Sequence, residues 1–136
     1  SMLYTDTIEK EQTELGAEIR ILLIEMGAVT HIKGFAYLCR AIEIVHDEPD
    51  AIHNVVNGLY TRIAEEADTT PSCVERNIRS ELKVILSSGN FAILDESFSH
   101  FGFRSKAVSA RKFIALFAEK LRNHLIAPKS HVFRGI

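Results

Sequence analysis

The stretch Leu59–Leu86, LYTRIAEEADTTPSCVERNIRSELKVIL, decides the reading of this chain. It reads as a short helix, a tight polar turn and a longer helix with one apolar and one charged face. The apolar positions Val74, Ile78, Leu82 and Ile85 recur at helical spacing and make a single core-facing stripe. The opposite face carries Glu75, Arg76, Arg79, Ser80 and Lys83, side chains able to reach base edges or phosphates. The start of the helix is well marked. Thr69 or Thr70 can cap it, Pro71 fits a first turn, and Glu75 falls in the opening turns. The pattern is that of a helix-turn-helix, whose second helix lies in the DNA major groove. The alternative is an ordinary surface helix, since a charged outer face is common to both.

Outward from that stretch the chain reads as helical throughout, with almost no strand signal. A first helix is predicted from about Asp6 to Met26, with Gly27 in a terminating position. A second runs from about Phe35 to His46 on the stripe Phe35, Leu38, Ile42 and Val45. Pro49 interrupts the pattern, and a third segment, Ala51 to Asn57, leads through Gly58 into the motif. Beyond Leu86, the SSGN stop is followed by a short helix at about Phe91–Phe98. A last helix spans about Ala110–Leu125, burying Phe113, Phe117, Leu121 and Leu125 and turning Lys112, Lys120 and Arg122 outward. The expectation is an all-α fold: a compact bundle of about six helices forming one domain over residues 1–136. Ser1-Met2 reads as a cloning remnant.

The 136 residues suffice for one core, and no apolar run is long enough to cross a bilayer. Cys39 and Cys73 lie in separate predicted helices without CxxC or Cys/His spacing, as reduced thiols of a cytoplasmic protein do. The net charge of −2 argues by itself against nucleic acid, but its distribution does not. Residues 1–71 carry five Lys/Arg against thirteen Asp/Glu, whereas residues 104–136 carry eight against Glu119 alone. An acidic body with a basic C-terminal third points one face toward an anionic partner.

Catalytic patterns are missing from the sequence: no nucleophile elbow, phosphate-binding glycine loop, HExxH or EF-hand spacing. The six histidines share no ligand spacing, and His31 reads as a packing or capping residue. Neither cofactor nor metal is expected, and the chain is not expected to be an enzyme.

Three blocks, HIKGFAYLCRAIEIV (31–45), Leu59–Asn90 and KFIALFAEKLR (112–122), resemble the C-terminal effector domain of the sporulation stage-zero protein A family. The resemblance covers about Leu15 to Leu125, in matching order and spacing. It implies a bacterial response regulator whose upstream receiver, when phosphorylated, releases this domain to bind promoters. No receiver lies in these residues, so neither does its phosphoacceptor aspartate or metal site. By the resemblance, the second helix of the motif reads a box similar to TGTCGAA. Ser72, Cys73, Glu75 and Arg76 occupy the base-reading segment, and Arg79 and Ser80 lie near backbone and groove. Arg76 suits a bidentate contact to guanine, and Glu75 an acceptor for a cytosine amino group. Two positions depart from the family: Cys73 replaces an arginine and Ser80 a histidine. A family tryptophan is also replaced near Leu86.

The resemblance further implies self-association on tandem boxes through Lys112–Leu125, against which stands plain core packing of Phe113, Phe117 and Leu121. It implies a contact with the principal sigma factor of RNA polymerase through Ser87–Phe103, around Asp95, Glu96 and Ser97. The expected partner is double-stranded DNA, with phosphate contacts from Lys83 and the basic C-terminal third, and without a membrane. The rival reading is a protein-interaction module that kept the fold and lost DNA specificity, motivated by the acidic first half and Cys73.

Overall fold

The computed structural model describes residues 2–88 and 109–123. Five α-helices run in the order α1 (Met2–Glu25), α2 (Lys33–Asp47), α3 (Thr61–Glu66), α4 (Pro71–Ser88) and α5 (Ala110–Arg122). A 3₁₀ turn (Pro49–His53) and a π-helical turn (Val55–Tyr60) fill the interval between α2 and α3. No strand occurs among the described residues, so the all-α expectation holds. The helix expected at Phe91–Phe98 lies outside the described residues, as do Leu125 and the sigma-contact candidates Asp95, Glu96 and Ser97.

Helix α2 is the hub, with α1, α4 and α5 all packed against it. Its expected stripe Phe35, Leu38, Ile42 and Val45 is buried, and Tyr37, Ala41 and Ile44 widen it. Such a broad apolar arc lets one helix serve three neighbours. Ile19, Leu22 and Leu23 of α1, with Met26 just past its end, complete one side of the core. Phe113, Ile114, Phe117, Ala118 and Leu121 of α5 complete another, with the two phenylalanine rings tilted at 5.9 Å. Full burial of Phe113 and Phe117 assigns these residues to the core.

Both helix ends that shape the bundle close with the same device. Helix α1 stops at Gly27 (φ 99°), where Ala28 N–H donates to Leu23 O at 2.9 Å and Gly27 N–H to Ile24 O at 2.9 Å. That is a Schellman cap, with glycine in the left-handed position. Helix α3 stops the same way: Thr69 N–H donates to Ala64 O at 2.9 Å and Asp68 N–H to Glu65 O at 3.4 Å. Here the left-handed residue is Asp68, at φ 54°. Aspartate tolerates that region better than most side chains, so the turn of the motif forms without glycine.

Two positions differ from their sequence reading. Arg122 is half-buried rather than turned outward: its guanidinium donates to Val45 O at 3.2 Å and His46 O at 3.3 Å. A cation there satisfies the terminal carbonyls of α2 and complements its dipole. His31 neither packs nor caps; it is exposed, and the N-cap of α2 is Ile32, which makes no side-chain cap bond.

Candidate DNA-binding surface

Local chemistry fixes the motif's second helix before any packing does. Thr70 is its N-cap, accepting the Cys73 N–H through Oγ1 at 3.2 Å, with Pro71 in the first position. Val74, Ile78 and Ile85 are fully buried and Leu82 nearly so, which fixes the rotation of α4 about its axis. Ser72, Arg76, Arg79, Ser80 and Lys83 are thereby exposed, with Cys73 and Glu75 half-exposed. All seven candidate contact residues therefore belong to the solvent side of one helix.

Their immediate partners differ. Arg79 Nη2 donates to Glu75 Oε1 at 2.6 Å across one turn, on the surface and clear of the core. Ser80 Oγ donates to Arg76 O at 3.1 Å, so its proton is used within the helix and its lone pairs face outward. Asn77 Nδ2 donates to Cys73 O at 2.7 Å and lies 3.3 Å from Cys73 Sγ. Hydrogen bonding with Thr69 and the charges of Arg76 and Lys33 hold the Cys73 thiol below its ordinary pKa. The position that lacks the family's arginine thus holds a thiol beside the cations Arg76 and Lys33.

Sequence reasoning passed over Tyr60 and gave Arg111 only as one cation of the basic C-terminal third. Tyr60 sits under the motif, its hydroxyl pushed up to about 12 by burial and by Glu75. Tyr60, Glu75, Arg79, Lys83 and Arg111 line one groove, so the start of α5 brings its arginine beside the cations of α4. Arg111 Nε also donates to Ile52 O at 3.1 Å, which anchors it there. The other basic candidates Arg104, Lys106, Lys129 and Arg134 lie outside the described residues.

Glu81 is the second omission. It is fully buried on the core side of α4, where its Oε1 accepts the Val29 N–H at 2.6 Å. Burial raises its carboxyl pKa, opposed by that bond and by His31. The signal was present in the sequence: position 81 falls between Ile78 and Leu82 on the apolar stripe, where a charge is out of place.

The outer ring of the motif is tied to α2 through ions. Arg40 of α2 pairs with Glu43 and, at 2.8 Å, with Glu66 of α3, while Arg62 reaches Glu48 at 2.6 Å. Among the described residues no three His, Cys, Asp or Glu side chains gather as a metal site would require, and no helix is long and apolar enough to cross a membrane.

A family model described as "Sporulation initiation factor Spo0A C terminal" matches residues 19–121. That span runs from the buried half of α1 to the last core leucine of α5 and contains the whole helix-turn-helix. The chain belongs to the Spo0A C-terminal family, the DNA-binding effector domain of a sporulation regulator and not an enzyme.

Proposed function

We propose that this domain reads a short promoter box, similar to TGTCGAA, by laying α4 in the major groove. The observation that carries the reading is the composition of the solvent side of α4. Arg76, Arg79 and Lys83 stand there against the single carboxylate Glu75, while the stripe that anchors the helix is buried behind them. Arg76, which has no acidic neighbour paired to it among the ion pairs of the motif, takes the guanine. Glu75 and Arg79 act as a pair at the adjoining positions. Lys83 and Arg111 contact phosphates on the flank, adding affinity without sequence information. Ser72, Cys73 and Ser80 complete the contact face and tune which box is preferred. The rival interaction module fits a neutral or acidic outer face, and the cation excess on α4 weighs against it. Contacts with the sigma factor and self-association on tandem boxes remain part of the proposal, as does a cytoplasmic location.

Fluorescence anisotropy with a duplex carrying two tandem TGTCGAA-like boxes tests this, against a scrambled duplex at two salt concentrations. Preference for the boxes supports sequence reading. Equal binding to both duplexes, falling steeply with salt, leaves only the phosphate contacts. No binding to either moves the function to the interaction module.

A further inference from the structure

The turn joining α1 to α2 and the first turn of α2 are each fastened to the middle of α4. One fastening is the bond from Val29 N–H to Glu81 Oε1, at 2.6 Å and 52 residues apart in sequence. The other is a close backbone approach: a Cβ placed on Gly34 would lie 2.2 Å from Asn77 O and 3.0 Å from Glu81 Cβ. Between these points the chain runs Thr30-His31-Ile32-Lys33, and both His31 and Lys33 are exposed. Lys33 directly precedes Gly34, whose backbone meets Asn77 O, so it stands at the edge of α4, where its charge acts on Cys73. A carboxyl group buried at 0 % exposure, with Oε2 lacking any hydrogen-bond partner, is costly to keep for packing alone.

We propose that Glu81 is a positioning residue for DNA recognition: it pins the α1–α2 turn to α4 so that Lys33 reaches the phosphate backbone beside the base-reading face. The carboxylate itself touches no DNA. It acts through the turn, and its loss loosens the N-terminal end of α2, where Lys33 stands, without altering any side chain on the outer face of α4. The groups facing Glu81 are His31 from the turn and Cys39 from α2; Cys39 in turn feels Arg20 and Glu43. The inference rests on the DNA-reading assignment for its consequence, but the pin can be observed without DNA.

The experiment pairs two readouts on wild type, Glu81→Gln, Glu81→Ala, Lys33→Ala and the double variant with Glu81→Ala. The first is the pH titration of the Val29 amide in ¹H–¹⁵N spectra. A short bond to a carboxylate places this proton downfield and makes it follow Glu81, a dependence absent in Glu81→Gln. The second is anisotropy on the box duplex. Glu81→Ala is expected to weaken box binding about tenfold, Glu81→Gln to restore most of it by keeping an acceptor for Val29, and Lys33→Ala to matter only when Glu81 is present. A Val29 amide that ignores pH overturns the pin. Box binding by Glu81→Ala equal to wild type, or an undiminished Lys33→Ala effect in the double variant, overturns the positioning role. Should Glu81→Ala fail to fold, Glu81→Gln and the Val29 titration decide the pin. Wild type that ignores the boxes while Val29 titrates sinks the DNA reading alone.

Discussion

Arg79 and Glu75 lie one turn apart on α4, joined at 2.6 Å, with side chains 61 % and 42 % exposed. An ion pair this accessible contributes little to stability, and its value lies in holding the guanidinium in one orientation. Glu75→Ala should therefore change the unfolding free energy by less than about 0.5 kcal/mol. On DNA it should matter more, shifting base preference beneath both Glu75 and Arg79. Denaturant melts alongside a panel of single-base box variants separate the two effects.

Arg76 and Lys83 should divide the labour of binding. Arg76→Ala is expected to cost ~1–3 kcal/mol on the box and to relax discrimination at one position. Lys83→Ala should weaken box and scrambled duplex alike and lower the salt slope by about one. Matching losses for both variants on both duplexes would contradict the assignment of base and phosphate contacts.

At Gly34 a methyl group has nowhere to go, because Asn77 O is a backbone atom of a helix buried against α2. Gly34→Ala is expected to destabilise by ~1–3 kcal/mol, the range for overpacking a close contact. Thermal melts measure it, and the variant should also lose box preference because α4 must shift to make room.

The raised carboxyl of Glu81 has a defined sign in stability. Folding disfavours its charged form, so the folded chain binds the proton more tightly than the unfolded chain does. That contribution is complete below the ordinary glutamate value of 4.5 and is lost as pH rises through the raised folded value. Glu81→Gln, which cannot ionise, should gain stability relative to wild type as pH climbs through that window. Melting temperatures across that range check it, and a constant difference between the two proteins would contradict it.

What the sequence disclosed follows from what is local. The rotation of α4 was legible because Val74, Ile78, Leu82 and Ile85 keep a 3.6-residue period, and its start because Thr70 and Pro71 act within one turn. Gly27 announced the end of α1 for the same reason. The turn after α3 was harder, since Asp68 takes a left-handed position usually given to glycine. The segment before Tyr60 reads as helical but closes π-type bonds, which no periodicity distinguishes. Least visible were the long-range partners: Glu81 with Val29 and Arg122 with the end of α2 are separated by 52 and at least 76 residues. The seven candidate contact residues were placed on one side of α4 by the stripe, but their surroundings depend on neighbours such as Tyr60 and Arg111 that only the fold assembles.

The backbone contact of Gly34 with Asn77 also bears on how such a domain diversifies. Where α4 stands is fixed by main-chain atoms and by side chains on its hidden side. On the proposed function, what α4 reads is written in residues that take no part in that contact, Cys73 and Ser80 among them. Substitutions on the outward side can therefore accumulate one at a time, each altering the preferred box while the docking pose stays put. On that reading, a duplicated gene carrying this scaffold can drift to a new box while α4 keeps its seat on α2.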